Sequence, residues 1–217
     1  MGRARLSRDE RRQHIIESAI DIFSQRGFHG TRMEDIARAA DINISLIYQH
    51  FPHKEDLFDA IFATLYAGNP MITRLAEIVQ EGTDQAVFRY FAESYVSVEE
   101  RDIKIQRLLV FAALERPDLA RRHFEEREAN VIAILARYIE KRVADGVFHP
   151  LDALLTARLF AAQASMYVLE ARVLNNARWE GYGQEVVLSA MVDTFIEGLK
   201  QTSSEDVGGV EASRLPQ

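Results

Sequence analysis

Apolar residues recur at helical spacing along nearly the whole chain, and no segment shows the strict alternation of a half-buried β-strand. The first apolar stripe consists of Ile15, Ile16, Ala19, Ile20 and Phe23. Further helices are predicted near residues 71–81, 83–99, 102–115, 118–144, 151–175 and 184–200. The periodicity therefore predicts an all-α protein of about nine to ten helices.

Capping signals divide the N-terminal region into short helices. Ser7 with Glu10 forms a capping-box pattern that opens the first helix, and Gly27 is placed to end it. Thr31 with Glu34 repeats the capping box and predicts a second, shorter helix. A long supporting helix followed by a short one is therefore expected.

A third helix is predicted after a tight turn. Asn43 is a good N-cap for a helix over Ile44–Phe51, and Pro52 ends it because the residue before proline avoids the α conformation. A fourth helix is predicted from Lys54 to at least Tyr66, with a break at residues 67–70. The first three helices together have the order of a helix-turn-helix unit.

Residues 44–51 divide into two faces when they are projected on a helical wheel. The face that can pack on the first two helices contains Ile44, Ile47, Tyr48 and Phe51. The opposite face contains Ser45, Leu46, Gln49 and His50. Amides, hydroxyls and methyl groups read base edges in the major groove, so this helix is a candidate recognition helix. Tyr48, His50 and Lys54 are placed to reach the flanking phosphates.

The net charge of −7 is unevenly distributed. Residues 1–55 contain nine Lys or Arg and eight Asp or Glu, a net of +1, which leaves 17 against 25 for the rest, a net of −8. The basic residues of the first twelve positions are Arg3, Arg5, Arg8, Arg11 and Arg12. The N-terminal segment is therefore expected near phosphates.

Residues 14–62 read HIIESAIDIFSQRGFHGTRMEDIARAADINISLIYQHFPHKEDLFDAIF. The ordered features RGF, the Thr31 cap, IARAA, LIYQHF and KEDLF resemble the DNA-binding domain of TetR-family transcriptional regulators. The rest of the chain is similar in helical layout and length alone. The resemblance implies that these residues lie at or near DNA: Thr31, Asn43, Ser45, Tyr48, Gln49, His50 and Lys54. The predicted DNA-binding set also includes Arg32, Ile44 and Leu46.

Two positions depart from the family pattern. Asp41 stands where the family usually has glycine in the turn, and Asp tolerates a left-handed backbone better than most residues, so the turn is expected to survive. Ile44 stands in a segment that is polar in many members, which places an apolar group near the groove.

The predicted domains follow the resemblance. They are a basic arm at residues 1–8, a DNA-binding domain at 9–69 with its helix-turn-helix at about 32–51, a ligand-binding and dimerisation domain at 70–200, and a disordered tail at 201–217.

Symmetric dimers bind DNA half-sites, so an interface between two copies is required. The resemblance implies that the last two long helices form it, as a four-helix bundle with the partner. The predicted interface residues are Ala157, Ala161, Ala164, Ser165, Val187, Met191, Thr194, Phe195 and Gly198.

The family also implies an effector cavity in the C-terminal part, and the many aromatic residues there suit a hydrophobic or aromatic effector. The predicted ligand-binding residues are Tyr66, Phe91, Tyr95, Arg107, Phe111, Met166 and Tyr167.

Several other functions are not expected. The chain has no Cys, no apolar run of the ~20 residues that span a bilayer, and no signal peptide, so a cytoplasmic protein without membrane contact is predicted. Its six His residues lack metal-ligand spacing, and neither a Gly-x-Ser-x-Gly elbow nor a phosphate loop is present. No cofactor, metal or enzymatic activity is therefore predicted.

The sequence thus predicts a homodimeric repressor that a small effector releases from a palindromic operator. Two alternatives remain open: a ligand-responsive activator, and an enzyme with an incidental helix-turn-helix.

Overall fold

The computed structural model describes residues 6–66, 70–96, 100–127 and 131–201. These residues form eleven α-helices: α1 (Arg8–Arg26), α2 (Met33–Ala39), α3 (Ile44–His50), α4 (Lys54–Tyr66), α5 (Pro70–Glu81), α6 (Asp84–Glu93), α7 (Glu100–Glu115), α8 (Pro117–Arg127), α9 (Ala133–Ala144), α10 (Ala153–Val168) and α11 (Gln184–Leu199). A π-helical segment (Leu169–Val173) continues α10, and a 3₁₀ turn (Ala177–Trp179) follows. The predicted all-α fold is confirmed, since the described ranges contain no strand beyond one isolated bridge.

The predicted start and end of α1 are confirmed. Ser7 Oγ accepts a hydrogen bond from the Glu10 N–H at 3.2 Å, and the Ser7 N–H donates to Glu10 Oε2 at 2.7 Å. Gly27 ends the helix with a φ of 69°, which favours glycine. A Cβ at this position would also lie 2.6 Å from Glu115 Oε1 and 2.9 Å from Phe111 Cδ1, so a larger residue would require these α7 side chains to shift.

The predicted capping box at Thr31 is wrong. Arg32 is the N-cap of α2 and makes no side-chain capping hydrogen bond. The Thr31 side chain is buried, and its hydroxyl instead donates to the Gly27 carbonyl at 2.7 Å. The Thr31 hydroxyl therefore bonds the C-terminal end of α1, whereas the sequence pattern predicted that it would cap α2.

Other predicted boundaries differ from the structure. The helix predicted at 83–99 ends at Glu93, and the one predicted at 118–144 is described as α8 and α9. Three further predictions fall mainly on residues outside the described ranges: the break at 67–70, after which α5 begins at Pro70, the basic arm at 1–8, and the tail at 201–217.

Two apolar cores hold the helices together. One joins α5, α6, α9, α10 and α11. In it, the ring centroid of Phe160 lies 5.1 Å from that of Phe88 and 4.6 Å from that of Phe195. The other joins α1–α4 with α7 and α8, and it includes both Phe23 and Leu108. Although α7 and α8 follow the predicted boundary near residue 69, they share a core with the N-terminal helices.

Polar contacts reinforce the packing of α7 on α1. Glu115 Oε2 accepts hydrogen bonds from the N–H groups of Phe28 (2.5 Å) and His29 (3.1 Å) in the turn after α1. Lys104 Nζ lies 2.9 Å from Asp21 Oδ1 at the other end of the contact. The turn that leads into α2 is therefore tied to the C-terminal end of α7.

We predict that Glu115→Ala lowers the free energy of unfolding by about 1–3 kcal/mol, because two backbone N–H groups lose their acceptor. Urea titration followed by circular dichroism measures the change. Glu125→Ala, at an exposed carboxylate on α8, is the matched control and should leave stability nearly unchanged. Equal stabilities of the two variants would contradict the role of Glu115.

Candidate nucleic-acid interface

The third helix presents a polar face to solvent. Asn43 Oδ1 caps it by accepting hydrogen bonds from the Ser45 N–H at 2.8 Å and the Ser45 hydroxyl at 2.7 Å. Ile47 and Phe51 are buried on the inner side, whereas Gln49 is exposed. Short polar side chains and an amide therefore remain accessible along the outer side of α3.

Tyr48 differs from its predicted placement on the packed side of the wheel. Its side chain is 46% exposed, while Leu46 and His50 are half-buried. The core has room for Ile47 and Phe51 from this short helix, and Tyr48 extends past its edge toward solvent. The accessible face is therefore wider than the wheel indicated.

The turn between α2 and α3 accommodates Asp41, as predicted. Asp41 has a φ of 51°, in the left-handed region that Asp and Asn adopt more readily than most residues. The Ile42 N–H donates to the Ala37 carbonyl at 3.1 Å, and the His14 ring bonds the Ala40 carbonyl at 2.8 Å. These bonds hold the turn against α1 and so set the direction of α3.

Three arginines of the first turns of α1 lie near the end of α3. Partial burial lowers the pKa of His50, and the nearby positive charges of Arg8, Arg12 and Arg11 lower it further. The Arg12 guanidinium also lies 4.9 Å from the centroid of the Phe51 ring. The density of arginines was the only sequence signal for this cluster, and its position beside His50 arises from the fold.

Two predicted DNA-binding residues have side chains that serve the fold. Thr31 is buried, as described above. Lys54 Nζ donates to the carbonyls of Phe28 (2.7 Å) and Thr31 (3.0 Å) and lies 4.2 Å from the centroid of the Phe28 ring. Its ammonium group thus holds the turn before α2. Arg32 is exposed, and Ile44 is half-buried against the core.

The structure brings only part of the predicted ligand-binding set into one core. Phe91 and Tyr95 pack in the C-terminal core, with ring centroids 5.3 Å apart. Arg107 Nε donates to the Ser24 carbonyl at 3.1 Å, so this residue faces α1 rather than a C-terminal cavity. Tyr167 belongs to the same core as Phe91 and Tyr95 and lies beside Trp179, whereas Met166 is exposed and Phe111 approaches Gly27. The Tyr66 side chain lies outside the described part of the chain.

Several predicted interface residues are buried within this chain. These are Ala157, Ala161, Ala164 and Val187, with Met191 and Phe195 packed against the same core. Small side chains let α10 approach its own neighbours α9 and α6 closely, which explains their burial. Ser165, Thr194 and Gly198 are exposed. The most exposed large apolar residues of these helices are Leu155, Leu159, Met166 and Val186.

Two kinds of site are not found in the part of the chain that the structure describes. No three His, Asp or Glu side chains are grouped so that they could hold a metal ion. None of the described helices is long and apolar enough to cross a membrane.

Comparison with known proteins identifies both parts of the chain. The family model for bacterial regulatory proteins of the tetR family matches residues 15–61. The model of the AefR-like transcriptional repressor C-terminal domain matches residues 85–198, more than half of the chain.

Curated relatives match parts of their length. The regulator AcrR of Shigella flexneri is 45% identical over 53 residues, 24% of this chain and 25% of that protein. The transcriptional activator FasR of Mycolicibacterium smegmatis is 30% identical over 106 residues, 48% of either chain. The biofilm operon negative regulator IcaR of Staphylococcus aureus is 26% identical over 91 residues, 42% of this chain and 49% of that protein. The chain thus spans half or less of the length of these relatives.

Solved structures share the fold along most of the chain. FadR from Bacillus subtilis in complex with stearoyl-CoA superposes with a TM-score of 0.69 at 19% identity, covering 86% of this chain and 98% of that one. GusR of Salmonella enterica superposes with a TM-score of 0.65 at 24% identity, covering 89% of this chain and 97% of that one. With family models matching both its helix-turn-helix and its C-terminal domain, the chain belongs to the TetR family of DNA-binding transcriptional regulators.

Proposed function

We propose that the chain is a homodimeric repressor that reads a palindromic operator through the exposed side of α3. The observation that carries the proposal is the position of Gln49, Tyr48 and Ser45 on an accessible helix face beside the arginines of α1. Amide and hydroxyl groups supply base readout, while arginines bind phosphates and position the helix.

The exposed apolar surface of α10 supports the dimer. Leu155 and Leu159 are one turn apart, and both are about half exposed, as is Met166 on the same helix. Val186 adds a further exposed apolar side chain at the start of α11. We propose that these residues pack against their counterparts in a second copy, where a two-fold axis makes the patch self-complementary.

Repression is favoured over activation by the C-terminal match, since that model describes a repressor domain. IcaR is named a negative regulator. FasR, by contrast, is named an activator, so an activator is the second candidate. The position of the operator relative to the promoter distinguishes them, because a repressor site overlaps the polymerase site and an activator site lies upstream.

Effector release would act through the contact of α7 with α1. The FadR structure holds stearoyl-CoA, which supports a hydrophobic effector for this chain by analogy. An effector that binds one position of α7 more tightly than another would move the turn held by Glu115. DNA binding must then weaken effector binding by the same factor.

Selection of bound duplexes from a random DNA pool at fixed salt tests the proposal. We expect enrichment of a palindrome whose half-sites lie about one helical turn or more apart. If the protein is unfolded, refolded without ligand and still enriches no sequence, it does not bind DNA sequence-specifically, and the proposal is wrong.

We predict that Gln49→Ala reduces affinity for the selected operator by about 1–3 kcal/mol, because a base contact is lost. Binding to random DNA should stay nearly constant, since phosphate contacts supply it. Fluorescence anisotropy with both duplexes measures the two affinities. Equal losses on operator and random DNA would contradict base reading by Gln49.

We predict that operator affinity rises as pH falls from about 8 to about 6, partly through His50. The pKa of His50 lies below its usual value in the free protein, so the ring is neutral near pH 7. Phosphates nearby favour the charged ring and raise this pKa, so the complex binds more protons than the free protein. Affinity measured across this range should show a flatter pH dependence for His50→Gln than for the parent.

His53→Gln is the control for this pH dependence. His53 is exposed and lies two residues after Phe51, whose side chain is buried. The pH dependence of this variant should match that of the parent protein. A parent-like pH dependence in His50→Gln would place His50 away from the phosphates.

We predict that Leu159→Glu weakens dimerisation by tenfold or more, since a symmetric interface would bury the new carboxylate twice. Leu159 is 54% exposed in the single chain, so folding of the monomer should be preserved. Sedimentation velocity over a concentration series measures the equilibrium. Leu114→Glu, at a leucine that is 79% exposed on α7, is the control and should remain dimeric.

A further inference from the structure

A cavity of about 310 Å³ lies at the end of α10, away from the helix-turn-helix unit. Its walls include the rings of Tyr167, Trp179 and Tyr182, together with the side chains of Arg172 and Asn175. This volume is at the lower end of the range of roughly 300–1,000 Å³ that small-molecule sites span. It suits a ligand of one or two rings.

The irregular backbone around this cavity is held by specific contacts. The chain leaves α10 through the π-helical segment, and Asn175 then adopts a φ of 48°. The Trp179 indole N–H donates to Glu170 Oε2 at 3.0 Å, and the Trp179 ring lies edge-on to Tyr167 with centroids 5.0 Å apart. π-Helical turns are rare and frequently occur at functional sites. The aromatic walls are therefore preformed rather than assembled by a ligand.

Arg172 supplies an unused hydrogen-bond donor. Its Nε is buried and has no hydrogen-bond partner among the described residues, while Nη2 lies 3.5 Å from Gln184 Oε1. A buried charged N–H without an acceptor is costly, so such groups are rare without a functional reason. Of the nearby carboxylates, Glu170 already accepts the indole N–H and Glu180 is exposed. An added anion would satisfy the donor.

We propose that this cavity binds a small planar aromatic carboxylate. The ring of the ligand packs against Tyr167, Trp179 and Tyr182, and its carboxylate accepts a charge-assisted hydrogen bond from Arg172 Nε. The site is joined to the DNA-reading helices, because the π-helical segment packs on α7 and α7 packs on α1. Its role as an effector site rests on the proposed DNA-binding function, whereas ligand binding itself does not.

Trp179 is the single tryptophan of the chain, so its fluorescence reports directly on this cavity. The full-length protein is titrated with benzoate and 1-naphthoate, and in parallel with the neutral amides of the same ring systems. We expect the carboxylates to change the fluorescence at about tenfold lower concentration than the amides. Calorimetric titration of the same pairs verifies the affinities independently.

Two variants and one control locate the binding. Arg172→Gln should weaken carboxylate binding about tenfold and leave amide binding nearly unchanged. Tyr182→Ala removes an exposed wall of the cavity without touching the core and should weaken binding of both ligand types. Arg178→Gln removes a neighbouring exposed arginine that does not line the cavity and should bind as the parent does.

Equal affinity for carboxylates and amides, or parent-like binding by both Arg172→Gln and Tyr182→Ala, would overturn the proposal. These titrations contain no DNA, so their outcome is independent of the operator. Adding the best carboxylate to the operator complex then tests the effector role separately. Binding to the protein without any change in operator affinity would establish the site and reject its regulatory role.

Discussion

The packing of α7 against α1 is the contact on which the DNA-reading unit depends. One long helix and two short ones bury little apolar surface by themselves, and Ile105, Leu108 and Ala112 complete their core from a later part of the chain. Hydrogen bonds from the turn before α2 to Glu115 add a directional constraint. The orientation of α3 is therefore set by α7 as well as by the helices that precede it.

Local charge explains how an acidic protein can approach a polyanion. Charges separated by more than about 8–10 Å are largely screened at physiological salt, so the arginines beside α3 act on nearby phosphates while distant carboxylates do not. Partial burial, and then the charges of the same arginines, lower the pKa of His50 in the free protein. In the proposed complex, phosphates at this end of α3 would favour the charged ring of His50 and so couple its protonation to DNA contact.

Most signals within a few residues of each other predicted this structure well, and the exception is the Thr31 cap. The Ser7 cap, the Gly27 end, the Asn43 cap and the left-handed Asp41 are all local, and each is present as expected. Predictions that needed tertiary partners were less successful. The small residues of α10 pack within their own chain, and Arg107 reaches α1, because helical spacing identifies a face without identifying what covers it. The prediction of ten DNA-contacting positions depended on both local signals and tertiary contacts. At two of these positions, Thr31 and Lys54, the side chain bonds backbone carbonyls and supports the turn before α2.

The shared core has a consequence for how such a regulator can be rebuilt. Transplanting residues 6–66 onto the effector domain of another regulator would expose apolar side chains such as Phe62, whose ring centroid lies 5.2 Å from that of His123 on α8 here. A chimaera that keeps this DNA specificity must therefore carry α7 and α8 with it, or receive matching side chains on the host's equivalent helices. The exchangeable unit is thus discontinuous in sequence, and recombination at a single crossover point would separate its two parts.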